Sequence, residues 1–312
     1  MVPLYLYDNC SLYAILSDSA ALIYRYNKFI NLFYRKFQSK KAEYDGRIIV
    51  DFLQIGVLAL NKPMIQMEGI VKQFGSITAL DNMKFHAYGG EITAIVGDNG
   101  SGNSTLIQLL TGCLKPDQGV IQIKDRVFHS LTVKEAMNQG ITAVYQNLAL
   151  DNCKDCAGNL FLGRELLRFG IFLDYGAMYR ETEKLLGQLH IHIPDIRQPV
   201  EKMSGGQRQA VAIARAVYQN GDIMIFDEPT SAMGMKETER IMNLFRALKE
   251  QGKTIILISH NLFQVFDISD RICVIKNGRQ IDSFLTRDSS PEQLYQTIIE
   301  KEDQTDGEKM DE

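Results

Sequence analysis

Residues 92–96, ITAIV, run without interruption into the glycine-rich string GDNGSGNST at 97–105 and then into the apolar helical stretch LIQLLTG. A short β-branched run, a glycine turn and a helix in immediate succession leave the backbone few options. Gly97, Gly100 and Gly102 free the chain to curl, so that successive N–H groups and the helix N-terminus surround a polyphosphate. Asp98, Asn99, Ser101 and Thr105 complete the turn, and the Ser104 hydroxyl is placed to ligand Mg²⁺. One position departs from the G-x-x-x-x-G-K-S/T pattern: Asn103 stands where lysine is expected.

The rest of the chain agrees with a strand feeding a helix. Residues 141–145, 222–226, 254–258 and 271–275 are short β-branched runs bounded by Gly, Asp or Asn, as buried strands are. Gly205–Asn220 and residues 235–250 carry apolar side chains at helical spacing. Strands alternating with helices predict a mainly parallel sheet covered by helices. Segment 148–203 interrupts the alternation, reads as helical with Asp174–His190 its clearest piece, and forms an inserted subdomain. A chain of 312 residues with 45% apolar composition has ample material for such a core.

Two further sites carry chemistry. IMIFDE at 223–228 is a hydrophobic strand ending in two acids, with Asp227 suited to hold the hydration shell of Mg²⁺ and Glu228 to orient or deprotonate an attacking water. A solvated turn is the plainer reading of that pair. Upstream, MSGGQRQAVAIARA opens a helix at Ser204, whose hydroxyl forms a second anion site with the N–H groups of Gly205 and Gly206. Two phosphate sites in one short chain require an explanation.

Taken in order, these motifs resemble the ATP-binding cassette (ABC) family over residues 64–285. On that resemblance GDNGSGNST takes the Walker A place, Gln146 the Q-loop, Ser204, Gly205, Gly206 and Gln207 the signature, IMIFDE the Walker B motif, and His260 the switch histidine, while Phe74 holds the position that stacks on adenine. Singly, Gln146 reads as a strand-end polar residue, His260 as a neighbour of Ser259 at a helix start, and Phe74 as core. Their order and spacing favour the functional reading. The resemblance implies an α/β fold: a P-loop NTPase (RecA-like) core with a mainly parallel sheet, an antiparallel β subdomain and an inserted helical subdomain at about 148–203, all within 63–301. It implies ATP and Mg²⁺, the metal ligated around Ser104, Gln146 and Asp227, with Glu228, His260 and Gln146 as the catalytic set. It also accounts for the duplicate anion site, since two cassettes pack head to tail, as a homodimer or heterodimer, and each signature caps the nucleotide of the other.

The implied partners are a second cassette, a transmembrane permease docked through residues 148–170 and, indirectly, a solute-binding protein. The implied location is peripheral, at the cytoplasmic face of the cell membrane. NLFLGREL at 159–166 and SAMGMKETERI at 231–241, with Gly234 in the place of an aspartate, are similar to importers of simple sugars. Soluble cassettes of DNA repair and translation carry a long coiled-coil insertion or two cassettes, and this chain has neither. Its net charge of −4 provides no basic field for nucleic acid.

Asn103 is shorter than lysine and neutral. Losing one charge-assisted contact costs about 1.5–3 kcal/mol of binding, and losing a preorganised transition-state donor costs roughly 10²–10³ in rate. Two functions follow from the resemblance, an ATPase that energises transport and a nucleotide-binding regulatory or scaffold subunit that does not hydrolyse.

The remaining segments are less informative. Residues 1–62 are rich in Tyr, Leu and Ile and carry no motif. Within them Leu22–Phe37 predicts a helix with Arg25, Lys28, Arg35 and Lys36 on one face and Ile23, Phe29, Ile30, Phe33 and Phe37 on another. An interfacial helix is one reading, and an extension packed on the core, or sequence upstream of a start near Met64, is the preferred one. The opening MVPLYLYDNC lacks the basic start of a secretory signal. No stretch reaches the ~18 uninterrupted apolar residues of a membrane span. The tail 302–312 is acidic, a composition of disordered chain. Five cysteines, an odd number thinly spread, fit reduced thiols, and Cys153 and Cys156 read as packing or surface thiols ahead of a redox or metal pair.

Overall fold

The structure, a computed structural model, describes residues 63–296. The amphipathic segment Leu22–Phe37 and the acidic tail lie outside the described residues. β1 (Pro63–Phe74), β2 (Ile77–Tyr88), β4 (Gln118–Ile123) and β5 (Arg126–Phe128) form an antiparallel sheet in the order β2-β1-β4-β5. β3 (Ile92–Val96), β6 (Ile141–Val144), β9 (Ile223–Asp227), β10 (Thr254–Ile258), β11 (Arg271–Lys276) and β12 (Arg279–Leu285) form the second sheet in the order β12-β11-β3-β10-β9-β6. Every pairing in it is parallel except the edge hairpin β11–β12. All residues of β3, β9 and β10 are buried, which is why these strands read as unbroken apolar runs.

Helices cover both faces of the parallel sheet. On one face α1 (Asn103–Leu110) is sandwiched between the two sheets, its Leu106, Ile107, Leu109 and Leu110 packed with Met67, Phe85 and Ile121 of the antiparallel sheet and Ile95, Ile225 and Ile256 of the parallel one. A short helix, α2 (Val133–Asn138), closes this side. On the other face lie α5 (Gly205–Gln219) and α6 (Met235–Glu250), where Phe226 and Phe245 stack with ring centroids 4.3 Å apart. α7 (Leu262–Ile268) packs beside β3 and β11 through Val265.

The inserted subdomain holds α3 (Cys156–Leu160) and α4 (Tyr175–Gln188). Its core joins Cys156, Leu160, Phe161, Met178 and Leu186 to Val211 and Ala214 of α5, while Ala212, Ile213 and Ala216 of the same helix face the sheet. α5 is therefore apolar around most of its circumference and rich in alanine, because layers press on both sides of it. Asp174 caps α4, its Oδ1 accepting from the Ala177 N–H at 2.8 Å.

Three expectations are corrected. The subdomain is not wholly helical: Leu167–Arg168 (β7) and Phe172–Leu173 (β8) pair as a small antiparallel hairpin. The strand expected at 222–226 runs from Ile223 to Asp227, because its pairing with β10 begins at Ile223 and continues to Asp227 opposite Ile258. The strand expected at 141–145 ends at Val144, where its pairing with β9 stops at Phe226. The Cys156 thiol is buried at the base of α3, which pushes its pKa up to about 12, whereas Cys153 is exposed. No helix among the described residues is long and apolar enough to cross a membrane.

Candidate functional site

The glycine turn lies at the C-terminal end of β3, clamped by strands distant in sequence. A Cβ on Gly97 would lie 2.3 Å from the Ile275 carbonyl oxygen, and one on Gly102, whose φ is +107°, would lie 2.8 Å from that of Ala79. The Gly278 N–H donates to the Ser101 carbonyl at 2.9 Å, and the Gly278 carbonyl accepts from the Asp81 N–H at 3.0 Å. The β11–β12 hairpin thus ties the loop to the antiparallel sheet. Inside the loop the Ser101 N–H donates to Asp98 O at 3.0 Å.

α1 begins at Asn103 with no side-chain cap and no acidic residue in its first turn. Its first N–H groups, with the positive end of the helix dipole, are open to an anion. Ser104 is exposed in that turn. Asn103 is turned inward, 9% exposed, and its Nδ2 donates to the Gly97 carbonyl at 3.4 Å.

The two acids stand nearby in register. Ile258 of β10 pairs with Ile95 of β3 on one side and with Asp227 of β9 on the other, which sets Asp227 level with the residue two before Gly97. Asp227 is 7% exposed; burial pushes its carboxyl above the ordinary range, opposed by a hydrogen bond from the Gln146 backbone N–H and by His260. Gln146 itself is exposed just beyond β6. Glu228 has φ +50°, a conformation rare for a side chain of this kind. It is held there by its N–H on Ile258 O at 3.0 Å and by its carbonyl, which accepts from Ser231 Oγ at 3.0 Å. Its carboxylate accepts from the His260 N–H at 2.9 Å, with His260 Nε2 at 3.5 Å. Burial raises the Glu228 carboxyl as well, countered by His260.

The Ser204 segment is placed elsewhere. Ser204 caps α5 in a capping box, with Gln207 N–H on Ser204 Oγ at 3.2 Å and Ser204 N–H on Gln207 Oε1 at 2.9 Å. Gly205 and Gly206 approach Ala232 closely, where a Cβ on either would be 3.2–3.3 Å from it. Ser204–Gln207 line a cleft of 440 Å³ with His190, Glu237 and Arg240, and no residue of the 97–105 loop borders it. Phe74 is 46% exposed at the end of β1, with Lys72 Nζ 5.6 Å from its ring centre.

Two supports were not readable in the sequence. Arg215 of α5 donates to the carbonyls of Leu148 and Ala149 at 2.8 and 2.9 Å, fixing the chain just after Gln146. Gly278 clamps the loop from a hairpin that carries no motif of its own.

The site is a glycine loop able to cradle phosphate, beside the buried Asp227 and the half-buried Glu228. Mg²⁺ keeps several waters and needs only one or two protein oxygens. The Ser104 hydroxyl and the Asp227 carboxylate are hard oxygen donors of that kind, and no group of three or more His, Cys, Asp and Glu side chains able to hold a metal occurs among the described residues. The residues fit an ion completed by water and phosphate oxygens.

A parallel α/β sheet with such a loop at the C-terminal end of one strand and a buried aspartate at the end of another defines a P-loop nucleotide-binding protein. The family model described as "ABC transporter" matches residues 80–231. The fructose import ATP-binding protein of Rhizobium meliloti is 41% identical over 227 residues, 70% of this chain and 87% of that protein. The xylose/arabinose import ATP-binding protein of Sulfolobus acidocaldarius is 39% identical over 237 residues, 75% of this chain and 93% of that protein. Among solved structures, a dimeric ATP-binding cassette in a post-hydrolysis state, bound to ADP and Pi, superposes with a TM-score of 0.64 at 26% identity, covering 72% of this chain and 99% of that one. The chain belongs to the ABC transporter family.

Proposed function

We propose that this chain is the ATP-binding subunit that energises import of a simple sugar through a membrane permease. The observation that carries the reading is the joint placement of the Gly97–Thr105 loop and the Asp227–Glu228 pair at the C-terminal ends of β3 and β9, on either side of β10. In this reading the loop N–H groups and the start of α1 hold the phosphates, Ser104 and Asp227 hold Mg²⁺ with Gln146 beside them, and Phe74 offers a face to adenine. Mg²⁺ supplies charge neutralisation at the phosphates when bound. Glu228, whose raised pKa suits a proton acceptor, orients and deprotonates water, and His260 holds its carboxylate in place. The Ser204–Gln207 segment, remote from the loop of its own chain, faces the loop of a second cassette. Residues 63–301 form the cassette, 1–62 an extension and 302–312 a tail.

The sugar reading is supported by the similar fructose and xylose/arabinose import ATP-binding proteins. A second reading, a nucleotide-binding subunit that does not hydrolyse, is favoured by Asn103 alone. The test is phosphate release on adding Mg-ATP to the chain with its permease in liposomes, with uptake of labelled monosaccharides measured in parallel. ATP-dependent uptake supports the first reading. Nucleotide binding with no phosphate release gives the second.

A further inference from the structure

Leu167, Phe169, Ile171, Phe172, Leu173 and Tyr175 are all exposed, the longest such run of large apolar side chains among the described residues. Pairing sets Leu167 beside Leu173 on one face of the β7–β8 hairpin and Arg168 beside Phe172 on the other, with Phe169, Gly170 and Ile171 as the turn. Phe169, Ile171 and Phe172 are 84%, 76% and 67% exposed, and none joins the core of the subdomain. The hairpin is therefore bare on both faces and at its tip. A protein partner would cover one face of so short a ribbon, whereas apolar side chains pointing in three directions suit immersion in a fluid apolar phase. Phe169 also holds φ +55°, a costly conformation for phenylalanine, and the strain keeps an aromatic ring at the outermost point.

The charges are sorted along the same hairpin. Glu165 Oε1 accepts from the Gly163 N–H at 3.1 Å and Asp174 Oδ1 from the Ala177 N–H at 2.8 Å, so both acids of the segment are turned back onto backbone at the base. Arg168 stays beside the turn, its guanidinium 5.3 Å from the Phe169 ring centre and in no ion pair among the described residues. Exposed rings with an unpaired arginine beside them match the headgroup boundary of an anionic bilayer, where the rings meet acyl chains and the guanidinium meets phosphate. The chain belongs to a transporter family, which works beside a bilayer. We propose that the β7–β8 hairpin inserts Phe169, Ile171 and Phe172 into the headgroup boundary of an anionic membrane while Arg168 binds lipid phosphate, holding the inserted subdomain against the bilayer. The contact uses no residue of the nucleotide site and stands whether or not ATP binds.

The chain contains no tryptophan, so Phe169→Trp places a single indole at the tip. The full chain carrying it is titrated with vesicles of phosphatidylcholine alone and of phosphatidylcholine with phosphatidylglycerol. On the anionic vesicles the emission should shift to the blue and be quenched by brominated acyl chains, with binding roughly fivefold tighter than on neutral ones, the share of one arginine near a charged surface. Adding Arg168→Gln should remove that preference. Phe169→Asn with Ile171→Ser, in an otherwise unmodified chain, should weaken cosedimentation with anionic vesicles at least tenfold. Circular dichroism and thermal unfolding check that every variant folds. Vesicle binding through the apolar and basic segment Leu22–Phe37 would leave the indole emission unmoved, and an unmoved emission overturns the proposal however the chain sediments. An equal response to neutral and anionic vesicles overturns the anionic assignment. A shift seen only when the vesicles carry a permease overturns the lipid contact and makes the hairpin a protein-docking element.

Discussion

Asn103 decides more about this chain than any other residue. The glycines of the loop and the Asp227–Glu228 pair are in place, so one neutral side chain separates this site from a complete, lysine-bearing one. Replacing it, Asn103→Lys, should raise ATP turnover by about two orders of magnitude while changing affinity less, because the charge acts mainly as the phosphoryl group departs. A double variant with Glu228→Gln should return turnover to background in the same phosphate-release assay. If Asn103→Lys binds nucleotide and stays silent, the chain is a regulatory subunit.

Glu228 permits a prediction on pH. Its folded carboxyl is raised above its ordinary 4.5 by burial, so the folded state binds that proton more tightly than the unfolded chain does. Stability from this group is full below the ordinary value and is lost as pH rises through the raised one. Glu228→Gln removes the buried charge while keeping an oxygen for the His260 N–H. Its melting temperature should exceed that of the unmodified chain at pH 7.5, with the gap narrowing toward pH 4.5. A gap independent of pH would contradict this. At Gly97 the same scale gives steric arithmetic: with a carbonyl oxygen 2.3 Å from the added Cβ, Gly97→Ala should cost about 1–3 kcal/mol in urea unfolding.

At the scale of elements, the legible parts were those where one physical demand dominates. Strands buried on both faces, such as Ile92–Val96 and Thr254–Ile258, must be apolar throughout and were read to the residue. α5 announced its start through Ser204, whereas the Gln207 half of its capping box came from the structure. The β7–β8 hairpin was not legible because two residues per strand give no usable alternation, although Gly170 between apolar runs was a turn signal. Nor was the Gly278 clamp, which depends on a pairing between segments far apart in sequence. The hairpin also carries local strain: its turn places Phe169 at φ +55° and Gly170 at +74°, and Phe169 is 84% exposed. An asparagine tolerates that conformation where a phenylalanine does not. Phe169→Asn should therefore stabilise the subdomain by about 1 kcal/mol in chemical denaturation, since no burial is lost.

At the scale of the whole molecule, the Ser204 cleft and the Gly97 loop are separate: no residue of the loop lines the cleft. On the proposed head-to-tail pairing of two cassettes, the Ser204 segment of one chain meets the Gly97 loop of the other. ATP would then belong to the interface as much as to either subunit, and the dimer should form only when nucleotide is present. The most direct measurement is sedimentation velocity of the Glu228→Gln chain, expected to bind without turning over, with and without saturating Mg-ATP. The chain should sediment as a monomer that becomes a dimer on adding Mg-ATP and reverts when the nucleotide is removed. A chain that binds Mg-ATP to saturation and remains monomeric would contradict it.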